Sequence, residues 1–263
     1  MKKVFLILIL LLVVVVASCL FYKSYKSDLK DKTVHFLFLV RDGQEYLKNN
    51  INKIIDVGSS FKSYKIFFIE NDSKDGTIDI LKTMMNTNKN ITGKFKKLNN
   101  KTSIQMCNDG EAINCNKRTR FLASLRQDVL NDSMSVPSDL TIMLDLDFNS
   151  FDKHELFKMI HKLYELNADG IFGMSYTTTN NMPYDTGAVV CDSCFDQITS
   201  KKDSVVKVKS AFSGFGVYKT SSIIKYNASY DLNTNTIEHI SFNEHLKDLY
   251  VYTSFNPLYL PSA

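Results

Sequence analysis

Leu144-Asp145-Leu146-Asp147-Phe148 places two carboxylates two residues apart, where the apolar run Leu140 to Leu144 ends. On an extended chain, alternate residues point the same way, so Asp145 and Asp147 share a face. Two like charges held that close repel unless a proton or a cation intervenes. A hard divalent ion such as Mn²⁺ or Mg²⁺, shared with a diphosphate, would resolve the conflict. D-x-D alone is common by chance; its weight here comes from the buried-type strand that precedes it.

A second group is Ile69-Glu70-Asn71-Asp72-Ser73-Lys74-Asp75-Gly76-Thr77, again after an apolar run. Its acidic and amide groups suit a nucleotide base or ribose. The plainer reading is an Asp/Gly turn followed by a helix cap. A first apolar run ends at Val40-Arg41-Asp42-Gly43. Between these groups, Arg118 falls at helical spacing with Phe121, Leu122 and Leu125 and is expected to point inward, toward the carboxylates or a phosphate. Arg126 is then the solvent-facing arginine. A structural ion pair is the competing role for Arg118.

These groups need a scaffold that brings strand ends together, and the apolar patterning supplies one. Thr33 to Val40, Lys65 to Glu70, Leu140 to Leu144 and Gly170 to Met174 read as buried strands. Glu45 to Ile55, Asp75 to Met85, Lys117 to Leu130 and His154 to Leu166 read as helices, with apolar residues along one side. Strands alternating with helices predict an α/β fold with a mostly parallel sheet covered on both faces. In such folds ligands collect at the carboxyl ends of the strands, where these charged groups lie. Residues 86 to 104 read as an exposed connection, and beyond about 176 the alternation dissolves into Gly/Ser/Asn-rich pieces.

Composition narrows the class. With 44% hydrophobic and 23% charged residues in a chain of 263, a disordered chain, a coiled coil and a collagen-like repeat are excluded. A net charge of +4, from 32 basic and 28 acidic residues, is too even for binding nucleic acid through a basic field. The uncharged run Val4 to Tyr22 spans roughly 28 Å as a helix, enough for the core of a bilayer. It reads as a single-pass signal-anchor, with a cleaved signal peptide or a lipidated Cys19 as alternatives. Residues 1–3 are then a tail, 4–22 the anchor, 23–32 a stem and 33–263 the catalytic domain. Lysines on both sides of the run leave its orientation open. Cys107, Cys115, Cys191 and Cys194 allow two disulfides, with Cys107–Cys115 the easier loop to close; zinc binding and free thiols are the alternatives. Sequons at Asn90, Asn100, Asn131 and Asn227 are compatible with a lumenal domain.

Taken in order, Glu70-Asn71-Asp72-Ser73-x-Asp75-Gly76-Thr77, the arginine-bearing helix and Leu144-Asp145-Leu146-Asp147 resemble a glycosyltransferase of the type-A fold. More narrowly, the chain is similar to the fungal capsule-associated mannosyltransferases and related viral and protist glycosyltransferase domains. The shared segments include Asn116-Lys117-Arg118-Thr119-Arg120-Phe121-Leu122-Ala123, Tyr184-Asp185-Thr186, Ser213-Gly214-Phe215-Gly216-Val217-Tyr218 and Glu238-His239-Ile240-Ser241-Phe242. The likeness runs over about residues 33 to 255. It implies a Rossmann-like α/β/α catalytic domain behind the membrane helix, facing the Golgi or endoplasmic reticulum lumen in a eukaryote. It also implies a nucleotide-sugar donor, a glycan, glycoprotein or glycolipid acceptor, and Mn²⁺ or Mg²⁺ as cofactor.

By that likeness Glu70 and Asp72 contact base and ribose, with Arg41, Arg118 and Asp145 also on the donor. Asp147 and Asp145 hold the metal, and Glu238-His239 supplies a late acidic or metal-binding group, making His239 a third candidate ligand. If the reaction inverts, one carboxylate must deprotonate the acceptor hydroxyl. Glu238, Asp185, Glu244 and Asp231 are candidates, and no spacing rule chooses among them; a retaining reaction, the alternative, needs no dedicated base. Asp185 reads equally as a turn residue, and Glu238-His239 as an ordinary helix start. A haloacid-dehalogenase-like phosphatase also carries D-x-D after an apolar strand, but on its first strand and with Thr or Val at +4. Here the motif is mid-chain with Asn149 at +4. A sugar nucleotidyltransferase would need a Gly/Arg/Lys-rich start that is missing. A catalytically silent sugar-binding or scaffold protein could keep every motif.

Overall fold

The computed structural model describes residues 29–99, 116–200 and 203–259. The apolar run Thr33–Val40 forms strand β1, and Ser63–Asn71 forms β2 beside it in parallel register, Val40 opposite Glu70. Helix α1, Leu47–Gly58, joins them and buries Leu47, Ile51, Ile54 and Val57, the helical spacing seen in the sequence. Helix α2, Thr77–Thr87, then leads to β3, Ile91–Lys96, which pairs with β2 in parallel. This strand lies where the sequence suggested an exposed connection. Only Ile91 of its six residues is buried, as suits an edge strand that carries lysines toward solvent.

Helix α3, Asn116–Met134, delivers the chain to β4, Leu140–Leu144, a fully buried strand that lies parallel to β1. Beyond it come β5, Phe148–Ser150, helix α4, Lys153–Glu165, and strands β6, Gly170–Phe172, and β7, Tyr176–Thr177. Asp152 caps α4 by accepting from the amides of His154 and Glu155. The remaining elements are helix α5 (Phe195–Ser200), strands β8 (Val205–Val208) and β9 (Phe215–Lys219), and helices α6 (Thr220–Lys225) and α7 (Glu238–Asn243). Strands β10, Leu249–Tyr252, and β11, Leu258–Tyr259, complete them.

The main sheet runs β3-β2-β1-β4-β9-β6-β10-β8, and β5-β11-β7 form a small second sheet. Strand β9 is antiparallel to both β4 and β6, and β8 is antiparallel to β10. The part that read as irregular thus supplies β8, β9 and β10, and β9 sits in mid-sheet. Short strands interrupted by glycine carry too few alternating positions to be recognised, although Phe215 to Tyr218 are all buried. Even-numbered residues of β1 and β4 pack against α1, α2 and α4. The odd-numbered ones, with Phe67 and Ile69, pack against α3, α6 and α7. The result is a sheet between two helical layers, the mostly parallel α/β/α arrangement expected.

The expected single-pass membrane localisation needs correction. Among the described residues no helix is long and apolar enough to cross a membrane, so such a protein is not supported. The run Val4 to Tyr22 lies outside the described residues, as do Cys107 and Cys115. Cys191 and Cys194 are joined by a disulfide, which removes both as zinc ligands.

Candidate active site

Parallel packing puts the ends of β1, β2 and β4 on one edge, and two loops leaving that edge are laced together. The amide of Asp42 donates to Ser73 Oγ, that of Lys74 to Asp42 Oδ1, and that of Gly43 to Thr77 Oγ1. Asp75 accepts from the amides of Gln44 and Thr77 and so closes the start of α2. Burial alone would raise its carboxyl, but these hydrogen bonds outweigh that and hold it below the usual range. Glu70 is buried and accepts from the Ser73 amide at 2.8 Å. Asp72, in left-handed conformation at φ 56°, accepts from the amides of Leu98 and Asn99 at 2.8 and 2.9 Å. A hollow of about 550 Å³ results, with Glu70 and Asp72 on one side, Phe95 and Ile78 offering apolar surface, and Arg41 at its edge.

Arg41 also borders a second cavity of about 540 Å³, lined by Asp145, Asp147, Asp185 and Glu238 together with Arg118, Arg126, Tyr46 and Tyr184. Asp145 follows β4 directly, and its amide donates to Gly214 O at 2.9 Å, so the antiparallel neighbour β9 fixes its place. Gly214 has φ +76°, and a Cβ there would meet the Tyr259 ring at 2.5 Å. Glycine is required because the backbone turns left-handed under an aromatic ring. Tyr259 donates its hydroxyl to Gly214 O at 2.6 Å and stacks on Tyr184, ring centroids 4.2 Å apart. Those two rings form a wall next to Asp185, itself in left-handed conformation at φ 47°.

Arg126 answers two of the four carboxylates. Its Nη2 donates to Asp145 Oδ1 at 2.9 Å and its Nε to Glu238 Oε1 at 3.1 Å. Burial works against the guanidinium's charge, but Asp145 and Glu238 more than offset it and raise its pKa. Among the described residues Asp147 has no such ion-pair partner. Burial, and then the charge of Asp145, push its carboxyl up to about 7. Asp185 is also raised, by its crowded surroundings and then by Asp145 and Glu238. Its side chain nonetheless opens onto the cavity, and water there screens part of that shift.

No group of three or more His, Cys, Asp or Glu side chains is placed to hold a metal among the described residues. The charge balance nevertheless fits a divalent cation: Asp145 and Asp147 both line the cavity, and among the described residues Asp147 forms no ion pair while the charge of Asp145 and burial outweigh the more distant Arg126.

The structure brings Asp145, Asp147, Asp185, Glu238, Arg41 and Arg118 around one cavity, with Glu70 and Asp72 in the hollow beside it. It does not bring Glu244 or Asp231 there; both line a separate concavity with Thr236 and His245. His239 stands apart too. It is buried, its ring lies flat on Phe212 with centroids 3.4 Å apart, and its Nδ1 is 3.4 Å from the Tyr230 hydroxyl. Burial and then Arg126 hold it well below its usual value, so it is a neutral packing residue here.

The two arginines are reversed from expectation: Arg118 is exposed at the cavity, and Arg126 is 7% exposed. The buried stripe of α3 runs through Thr119, Ala123, Arg126, Leu130 and Ser133. Its small and polar members hide it from a count of large apolar residues. Arg126 and Tyr46, with Tyr259 behind Tyr184, are the residues that sequence reasoning did not assign to the site.

No protein-family model matches this chain, and no curated protein does. Solved structures do match the fold. Residues 1–349 of TarS from S. aureus, in complex with UDP, align over 88% of this chain and 61% of that one at 10% identity and TM-score 0.55. The mannosyltransferase PcManGT from Pyrobaculum calidifontis, in complex with GDP-Man and Mn²⁺, aligns over 92% and 64% at 8% identity and TM-score 0.51. GalNAc-T7 with UDP, GalNAc and Mn²⁺ aligns over 87% and 44% at 8% identity and TM-score 0.54. The chain therefore spans about 60% of the length of the TarS fragment it matches. At these identities the likeness shows the fold, that of the type-A glycosyltransferases. It does not reach the narrower capsule-associated mannosyltransferase type.

Proposed function

We propose that this protein is a glycosyltransferase that moves a sugar from a nucleotide-sugar donor to an acceptor hydroxyl, with a divalent cation held by Asp147 and Asp145. The observation that carries the reading is the pair of cavities meeting at Arg41 on the carboxyl edge of the sheet. One offers acidic groups and flat apolar surface, as a nucleoside needs. The other gathers four carboxylates, as a metal, a diphosphate and a sugar hydroxyl need.

When bound, the cation stabilises the negative charge that the leaving diphosphate acquires. Arg41 and Arg118 border the cavity and add positive charge for the same oxygens. Tyr46 and Tyr184, the latter backed by the buried Tyr259, narrow the space around the reacting centre and limit water. Of the four candidate bases, Glu244 and Asp231 lie elsewhere, and Glu238 is buried against Arg126. Asp185 remains: it faces the cavity, and its carboxyl is raised toward the range in which a base works best at neutral pH. In the step proposed, the acceptor oxygen bonds to the anomeric carbon while the bond from that carbon to the phosphate oxygen breaks. The electron pair leaves with the nucleoside diphosphate, and Asp185 takes the hydroxyl proton. This is a single displacement with inversion.

The test is release of nucleoside diphosphate from a panel of UDP- and GDP-linked sugars, GDP-mannose among them for the mannosyl expectation. Each is assayed with Mn²⁺, with EDTA, and with Asp147→Ala. Metal-dependent release from one donor, lost in the variant, is expected. Silence from a folded, metal-supplied protein that still binds a nucleotide would favour a sugar-binding or scaffold role.

A further inference from the structure

Transfer as described assigns no role to the most enclosed cation at the cavity. Arg126 has a side chain 8% exposed, donates to Asp145 and Glu238, and has Cζ 5.0 Å from the centre of the Phe212 ring. The two carboxylates lie 19 and 112 residues further along the chain, one just after β4 and one at the start of α7.

 They approach the guanidinium from different layers, and each gives it one oxygen. Asp145 Oδ2 and Glu238 Oε2 are left with no hydrogen-bond partner among the described residues. Two neighbours on α3 tie down the same stretch of chain. Arg120 donates to Thr234 O and Asn235 Oδ1, and the amide of Tyr230 donates to Gln127 Oε1. The segment that carries Glu238 is therefore fastened to α3 at three points, and Arg126 alone of these also reaches the end of the sheet.

We propose that Arg126 is a positioning residue for transfer: its guanidinium fixes Asp145, beside the proposed cation site, relative to Glu238, whose charge acts on Asp185 across the same cavity. This rests on the transferase reading. A planar guanidinium has donors in two directions and can hold two carboxylates at a set angle and spacing. The ammonium of a lysine supplies the same charge from a single point and leaves at least one of them free to turn. A reacting centre built from several elements loses rate steeply when its parts move by about 1 Å. Arg126 acts through the two carboxylates, so its loss falls on the rate of the bound complex more than on capture of the donor.

The experiment compares the intact protein with Arg126→Lys and with the double variant Arg126→Gln/Glu238→Gln. The double variant removes one charge of each sign and so guards against a simple failure to fold. UDP and GDP, each with Mn²⁺, serve as binding probes by calorimetry. Thermal unfolding gives the folded fraction, and kcat and KM are expressed per folded molecule with the active donor. Arg126→Lys is expected to bind the nucleoside diphosphate within about threefold of the parent while kcat falls at least about tenfold, the pattern of an interaction used in the transition state. The double variant is expected to show the same split. A kcat per folded molecule equal to the parent's, with loss confined to thermal stability, would overturn the positioning role and leave the transferase reading intact. A parent protein that binds neither UDP nor GDP in the presence of Mn²⁺ would overturn both.

Discussion

Replacing Asp147 by Asn should stabilise the metal-free protein while removing its activity. The carboxyl is raised from 3.8 to about 7, first by burial and then by the charge of Asp145. A carboxyl with a raised folded-state pKa binds more protons folded than unfolded between those two values. Its contribution to stability therefore falls as pH rises through that window, the reverse of a salt-bridged aspartate. Raising the carboxyl from 3.8 to about 7 corresponds to an upper limit of about 4 kcal/mol. Asp147 is only half-buried and opens onto a cavity that admits water, which reduces the cost to about 1–2 kcal/mol. In a domain of this size that is a rise in Tm of about 2–8 °C for Asp147→Asn. The assay is thermal or urea unfolding of both proteins in EDTA from pH 4 to pH 8. The advantage of the variant should be small at pH 4, grow through pH 5 and 6, and level off above about pH 7.5. Adding Mn²⁺ at pH 8 should stabilise the parent and not the variant. A variant less stable than the parent at pH 8 without metal, or a difference that does not change with pH, would refute the electrostatic account of the site.

Asp185→Asn should lower kcat by about 10²–10⁴-fold with little change in donor KM, read by nucleoside diphosphate release. In the parent, kcat/KM should fall as pH drops below neutral, because the raised Asp185 carboxyl is then protonated. Gly214→Ala should cost about 2–4 kcal/mol in urea unfolding, since its Cβ would meet Tyr259 at 2.5 Å on a left-handed backbone. Glu244→Ala should leave kcat/KM within about twofold of the parent, because Glu244 lines a different concavity. A large loss there would mean that the acceptor reaches across Thr236 to that surface.

What could be read in the chain depended on how local its cause was. Thr33 to Val40 and Leu140 to Leu144 are apolar at every or nearly every position, so burial on both faces dictates extended parallel strands whatever surrounds them. Those strands carry their charged ends with them, and for that reason Arg41, Glu70 and Asp145 can be placed at strand ends from the sequence. Strand β3 was missed because it is an edge strand with lysines at alternate positions. Strand β9 was missed because its place depends on pairing with β4 and β6, both earlier in the chain, and on no pattern of its own. Side-chain direction was harder still. Arg118 shares a helical face with Phe121 and Leu122, yet Arg126 is the one turned inward, because Asp145 and Glu238 wait there to pair with it. A pairing across 112 residues leaves no trace in a helical wheel. His239 shows the opposite error: a residue type suited to metal binding, beside a carboxylate, is consumed by packing on Phe212.

The arrangement of charge also bears on whether the cavity works or merely persists. Among the described residues four carboxylates line it, and one buried cation, Arg126, answers two. Asp147 and Asp185 are left raised toward neutral pH, which is a standing cost to the fold in the absence of a ligand. An amide of nearly the same shape at either position would remove that cost and preserve the packing of a binding or scaffold protein. A site that instead keeps two carboxylates ready to ionise has the properties required to accept a cation at one and a proton at the other. Those are the two demands of sugar transfer from a diphosphate. The discriminating comparison is Asp147→Asn beside Asp185→Asn. If both stabilise the metal-free protein, and each removes a different capacity, Mn²⁺-dependent nucleotide binding for the first and turnover for the second, the charges are placed for catalysis. If both stabilise it and neither alters nucleotide binding or turnover, the transferase reading fails.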